Sequence, residues 1–333
     1  MTRILICGAT GFIGRNLVEH FAARPDCTVT AVAHKRPPFD CPGVTWVQGD
    51  LRDSAAVDRV IAGADIVIQA AATTSGAKDI TTKPFIHVTD NAVMNSLLLR
   101  SAYEHAVKRF VFFSCTVMYP SSDTPVREED FTGEITDKYF GVGWTKAYVE
   151  KMCAFYAGLG RTRHTVIRHS NIYGPYDKFD LEKSHVFGAT VTKTMLADDR
   201  LEIWGTGEEL RDLLHVDDLV GFVDVALARQ EAPFGLYNVG SSWAASIRSL
   251  VERVVEASGK TLRLEHNLAR PTIPFNLVLD CTRAREALGW TPKIGLEDGI
   301  ARTVAWWRAN IDPATLTIKS QAPGQLGPSR AVA

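Results

Sequence analysis

The chain has 333 residues, 46% hydrophobic and 23% charged, which suits a globular α/β protein with enough apolar residues for a full core. Its 37 Lys and Arg nearly cancel its 38 Asp and Glu, so no net field draws it to nucleic acid or an anionic membrane, and an anionic ligand must be held by local groups. The six cysteines, at 7, 27, 41, 115, 153 and 281, form neither C-x-x-C pairs nor a His/Cys cluster of metal-ligand spacing, so no metal is expected and reduced thiols in a cytoplasm fit best.

The opening MTRILICGATGFIG has no h-region with a cleavage site, and no apolar run reaches the ~18 residues of a membrane helix, so neither export nor membrane insertion is expected. Apolar runs then alternate with amphipathic stretches: RILICG, GRNLVEHFAARP, TVTAVAH, ADIVIQAAA, NAVMNSLLLRSAYEHAV and KRFVFFS. That rhythm predicts βαβ units on a doubly wound parallel sheet of Rossmann type over residues 1–170. From Asn171 the pattern loosens, with Gly/Pro punctuation in NIYGPYD and IWGTGEEL, and residues 171–314 are expected to be mainly a smaller substrate-binding region. A later strand such as YNVG is expected to return to the sheet. Residues 315–333, with KSQAPGQLGPSR, are polar, rich in Pro and Gly and aperiodic, as in a disordered tail.

The strand RILIC runs directly into Gly8-Ala-Thr10-Gly11-Phe12-Ile13-Gly14 and then into the helical pattern RNLVEHFA. This context reads as a dinucleotide site. Gly8 would allow the tight turn, Gly11 the approach of a pyrophosphate and Gly14 close helix packing, while the helix N-terminus offers amide donors and a positive dipole. The second strand ends at Ala33-His34-Lys35-Arg36, where an NAD site usually presents an acid. The cations there could pair with a ribose phosphate, which favours NADP with NAD as the alternative; a solvated basic turn reads the same way.

From residue 4 to about 308 the chain resembles the extended short-chain dehydrogenase/reductases, the family of NAD(P)-dependent nucleotide-sugar epimerases, dehydratases and reductases. The matching segments are GATGFIG, GDLRD, DNAVMN, FFSCTVMYP, WTKAYVE, RHSNIYGP, GTGEELRDLLHVDDL and ALGWTPK. Within that family YGPYDKFDLEKSHVFGA and EIWGTGEELRD are most similar to GDP-fucose synthases. The resemblance places Asp50 and Leu51 at the adenine, and Ala70, Ala71, Ala72 and Asn91 along the cofactor.

The family's chemistry rests on Tyr-x-x-x-Lys, a tyrosinate beside a lysine that moves the hydroxyl proton while hydride moves at the nicotinamide. Here Lys146 is present, but the tyrosine position is Val142. The family's upstream Ser or Thr falls on Cys115, with Thr116 beside it. The epimerising cysteine of GDP-fucose synthases falls on Val117, while their histidine acid matches His185. Three readings stay open: Tyr139, Cys115, Thr116 or His185 takes the tyrosine's part; the chain carries hydride without the usual acid/base; or it is a silent binder of nucleotide and nucleotide sugar. Tyr139, seven residues before Lys146, shares its face only if the helix runs back past Gly141 and Gly143.

On the substrate side Asn171 and Arg211 match family positions that contact the substrate diphosphate, Lys193 could join them, and Trp204 could stack on the base. The broad apolar faces of NAVMNSLLLRSAYEHAV and WTKAYVEKMCAFYAG match the family's dimer helices, so a homodimer is expected. The leading expectation is an epimerase or reductase acting on a nucleotide sugar, GDP-linked first. A dehydratase is less favoured because SCTVMYP lacks the adjacent Asp-Glu pair seen in those relatives.

Overall fold

A computed structural model describes residues 1–73, 83–181, 184–270, 272 and 274–316. The first part of the chain supplies β1 (Thr2–Cys7), α1 (Phe12–Ala22), β2 (Cys27–Ala33), β3 (Val44–Gln48), α2 (Ser54–Ile61) and β4 (Ile66–Gln69). There follow α3 (Thr89–Glu104), β5 (Arg109–Phe113), α4 (Phe140–Gly158) and β6 (Arg163–His169). The later part supplies β7 (Asn171–Tyr173), α5 (Val186–Leu196), β8 (Arg200–Trp204), β9 (Leu210–His215), α6 (Val216–Arg229) and β10 (Phe234–Val239). It ends with β11 (Ala244–Ser246), α7 (Ile247–Ser258), β12 (Arg263–Asn267), α8 (Thr282–Leu288) and α9 (Leu296–Asn310).

Seven strands make one parallel sheet in the order β10-β6-β5-β4-β1-β2-β3, so the strand containing YNV does return to it. Both faces are covered, which explains the unbroken apolar runs of the sequence. Successive residues of a strand point to opposite faces. Ile4, Ile6, Ile68 and Val111 therefore pack with Leu17 and Phe21 of α1 and Phe222 of α6. Leu5, Val67, Phe110 and Phe112 pack with Val57 of α2, Leu98 of α3 and Val149 of α4. The chain runs outward from β1 to β3 and re-enters at β4, on the other side of β1. This reversal opens a crevice at the carboxyl ends of the strands, where α/β proteins bind ligands.

Outside the main sheet lie the three-stranded sheet β11-β9-β7 and the parallel pair β12-β8. A separate apolar cluster joins Phe187 and Val191 of α5, Leu250 and Val254 of α7, and Ile300, Val304 and Trp307 of α9. Thr315 closes a 3-10 turn, Pro313–Thr315, in which the Asp312 carboxylate accepts from the Ala314 amide, and Leu316 packs against the same cluster. Ordered structure thus continues through two residues that composition assigned to the tail; residues 317–333 lie outside the described residues. No helix among the described residues is long and apolar enough to cross a membrane.

Candidate active site

Each glycine of the first loop meets a different steric demand. Gly8 has φ +75°, in the left-handed region, and a Cβ on it would fall 2.5 Å from the Ala71 amide nitrogen. A Cβ on Gly14 would fall 2.1 Å from the Gly8 carbonyl oxygen, so α1 can approach the loop only with glycine there. Gly11 is different: among the described residues its Cβ would meet that same oxygen at 3.2 Å, a tight contact that a shift of a few tenths of an ångström relieves, so packing restricts it far less than Gly8 or Gly14 and its small size serves the open side of the loop. Gly11 is also the N-cap of α1 and makes no side-chain cap bond, whereas Asp53 caps α2 through the Ala55 amide. The uncapped end, with Phe12 and Ile13 in its first turn and Thr10 just before it, has the chemistry for a pyrophosphate. The residues present therefore fit a dinucleotide.

A ladder of buried amides fixes the opposite wall. Asn91 donates to the Thr73 and His87 carbonyl oxygens, at 3.1 and 2.8 Å, and accepts from the Thr73 amide at 2.9 Å. Asn95 donates to the Asn91 carbonyl and accepts from Gln69, which in turn grips both the amide and carbonyl of Ala71. These bonds hold the loop Ala70-Ala71-Ala72 against Gly8. Asn91 thus has its amide committed to the chain and acts on the site through that loop. Nothing local in the sequence marks Gln69, Asn95 and His87, because the ladder exists only once α3 packs beside β4.

His34, Lys35 and Arg36 lie exposed just beyond β2. Arg36 Nη1 is 3.5 Å from the Thr10 carbonyl, which brings a guanidinium to the glycine loop. Asp50 is clasped by Arg52, whose other arm reaches Asp90 at 3.0 Å; its carboxyl is held well below the usual range, first by Arg52, with His34 adding at 3.6 Å. Leu51 beside it is buried.

At the carboxyl ends of β5 and β6, α4 brings in Lys146. Its Nζ donates to the Phe113 carbonyl oxygen at 2.6 Å and lies 4.7 Å from the centre of the Phe112 ring. Burial lowers the Lys146 pKa, opposed by Cys115 and Glu150. Cys115 is half-buried, and burial pushes its thiol up to about 11 despite Lys146, so it holds its proton at neutral pH; Thr116 is also half-buried. The helix begins at Phe140 and includes Gly141 and Gly143, whose missing Cβ atoms make room for Val88 and Ile135. Tyr139 is its N-cap, half-buried, with its phenol pKa raised by burial and partly restored by Arg211. Val142, half-buried one turn before Lys146 on the same helix, has no polar side-chain atom to offer.

Beneath this corner Arg168 and Glu150 form a buried pair at 2.6 Å. Arg168 also donates to Tyr119 and the Glu128 carbonyl, while Ser114 donates to Glu150. This network fixes α4 against β6. His169, the last residue of β6, carries no motif signal in the sequence; it contacts Phe113 edge-to-face, and its electrostatic neighbours are Lys146 and His185. His185 is exposed yet surrounded by chain on most sides, as at the wall of an open cleft. Burial, and then Lys178, lower its pKa.

On the far wall Arg211 donates to the Leu210 and Phe275 carbonyls and has its pKa lowered mainly by burial. Asn171 donates to the Asp212 carbonyl at 3.0 Å, which pins β7 to β9. Trp204 is exposed, with Lys193 Nζ 4.6 Å and the Arg270 guanidinium 5.3 Å from its ring, and its indole nitrogen donates to Glu202. Trp204, Lys193 and Arg270 thus make a cationic and aromatic cluster whose chemistry could hold a nucleoside diphosphate.

The NAD dependent epimerase/dehydratase family matches residues 4–240. GDP-L-fucose synthase 1 of Arabidopsis thaliana is 32% identical over 259 residues, 74% of this chain and 77% of that protein. dTDP-glucose 4,6-dehydratase of Streptomyces antibioticus is 30% identical over 321 residues, 92% of each. The crystal structure of UDP-glucose 4-epimerase from Thermotoga maritima with UDP-glucose superposes with a TM-score of 0.82 at 24% identity, over 93% of this chain and 100% of that one, and shares the fold.

Proposed function

The chain belongs to the NAD dependent epimerase/dehydratase family, and on that premise we propose that it is an epimerase or reductase of a nucleotide-activated sugar, GDP-linked in the first instance, with an atypical proton-transfer site. The observation that carries this reading is Lys146, held on the Phe113 carbonyl at the same sheet edge as the glycine loop. The similarity to a GDP-L-fucose synthase supports the choice of base and sugar class.

Residues 1–170 are the nucleotide-binding part and 171–314 mainly the substrate part. A bound nicotinamide supplies the hydride acceptor or donor. Gly8, Gly11 and Gly14 admit its pyrophosphate, the Ala70–Ala72 loop lines its other side, and Lys146 orients its ribose. Arg36, next to Thr10, favours NADP, with NAD as the alternative. Arg211, Lys193 and Asn171 hold the substrate diphosphate, Trp204 stacks on its base, and His185 supplies a proton to the sugar.

The protein acts as a homodimer in the cytoplasm. Phe140, Trp144, Tyr148 and Phe155 of α4 and Leu159 just after it, with Val93 of α3, leave exposed apolar side chains for a second copy, and the six cysteines are free thiols. A silent binder is the second reading, favoured by Val142 alone. Fluorescence titration with NADP+ and NAD+ tests the premise: saturable binding supports the reading, and no binding of either overturns it.

A further inference from the structure

We propose that His169 Nε2 is the group that takes and returns the proton of the reacting sugar hydroxyl, in place of the tyrosine absent at Val142. This rests on the reading above that the chain moves hydride at a nucleotide sugar.

His169 ends β6, the strand beside β5, and so stands at the carboxyl edge of the sheet where Lys146 and the glycine loop lie. Its ring packs edge-to-face on Phe113, with centroids 6.3 Å apart, and the Phe113 carbonyl is the group that holds Lys146. Nδ1 is 2.8 Å from the Ser170 carbonyl oxygen. A carbonyl only accepts, so Nδ1 carries the hydrogen and Nε2 carries the lone pair. Nε2 has no hydrogen-bond partner among the described residues, and the ring is half-buried.

The groups around the ring keep it neutral. Lys146 approaches from α4 and His185 from the segment before α5, while β5 presents Phe113 and β10 pairs Val239 with His169. No carboxylate pairs with the ring among the described residues. Burial first, then Lys146 and His185, push its pKa down to about 4 against the Ser170 bond. The alternatives are poorer bases at neutral pH: Cys115 and Tyr139 both keep their protons. Among the described residues at this corner, His169 is the imidazole whose hydrogen bond leaves Nε2 with the lone pair.

In the oxidising direction His169 Nε2 accepts the hydroxyl proton as the O–H bond breaks. The carbinol C–H bond breaks with its electron pair leaving as hydride to the oxidised nicotinamide, and the carbonyl forms. The sugar loses two electrons and the nicotinamide gains them; in the reverse direction the imidazolium returns the proton.

Two measurements on the full-length protein decide this. In the first, diethyl pyrocarbonate labelling with peptide mass analysis should modify His169 in the ligand-free protein, and NADP+ or NAD+ should protect it. An unreactive His169, or one whose labelling ignores both cofactors, overturns the proposal even if no sugar is turned over. In the second, with GDP-mannose, UDP-glucose and related hexoses as probes, His169→Gln should lower kcat by about 10²–10⁴-fold with KM within about threefold. His169→Ala should recover rate on addition of imidazole, and the wild-type loss of rate below about pH 5 should vanish in His169→Gln. Unchanged kcat and pH profile in His169→Gln, or loss in Tyr139→Phe alone, overturns the proposal while the reading of function stands. A wild-type protein that binds cofactor and turns over no sugar overturns that reading instead.

Discussion

Lys146 Nζ and the carbonyl oxygen of Phe113 lie 2.6 Å apart, so a cation is fastened to the end of β5 in a chain whose tyrosine position one turn earlier is Val142. The ammonium keeps two further donors for a ligand. Lys146→Met should lower turnover by about 10²-fold or more. It should change stability by only about 1 kcal/mol, because the lost hydrogen bond is offset by removal of a half-buried charge. Steady-state kinetics beside thermal unfolding checks both; equal losses in the two would mean the lysine is chiefly structural.

Gly14→Ala places a methyl 2.1 Å from the Gly8 carbonyl oxygen, so α1 or the loop must shift. A loss of roughly 1–3 kcal/mol is expected, with cofactor affinity reduced at least about tenfold. Gly11→Ala meets that oxygen only at 3.2 Å and should weaken the cofactor with little change in melting temperature. Calorimetry and cofactor titration on both variants separate packing from binding.

The buried Arg168–Glu150 pair is the strut under the corner. Arg168→Met leaves Glu150 buried without its partner and should cost about 3–5 kcal/mol, whereas Arg168→Met combined with Glu150→Gln should recover much of that loss. Urea unfolding of the single and double variants measures the difference. Equal destabilisation in both would show that Glu150 needs no counter-charge.

Asp177 has one carboxylate oxygen buried without a hydrogen-bond partner among the described residues, and burial raises its pKa to about 7 against the Lys178 amide and charge. The folded pKa lies above the unfolded value of 3.8, so its contribution is fully present below that value and is lost as pH rises through about 7. Stability should therefore fall by roughly 2–4 kcal/mol between acid and mildly alkaline pH, and Asp177→Asn should flatten that slope. Denaturant midpoints across pH for the two proteins give the comparison.

Local pattern made much of the fold legible. Runs such as ILIC and VFF are apolar throughout because both faces of the sheet are covered, and GATGFIG between a strand and a helix marks the loop in which packing requires glycine at 8 and 14. The rest depends on contacts between distant segments. The Gln69–Asn95–Asn91 ladder needs β4 and α3 side by side, and each amide alone reads as an ordinary polar residue. His169 in RHSNIYG looks like a loop histidine until β6 sets it beside Phe113 and Lys146. Arg211 shows its charge in the sequence but not its bonds to the Leu210 and Phe275 carbonyls. Its neighbour register pairs it with Ala245 of β11.

The most direct test is NMR of GDP-, UDP- and dTDP-hexoses incubated with the protein, with and without NADP+, NADPH, NAD+ and NADH. At least one nucleotide sugar, with GDP-linked hexoses first, should be epimerised or reduced only when a nicotinamide cofactor is present. Saturable cofactor binding with every sugar unchanged would contradict the account.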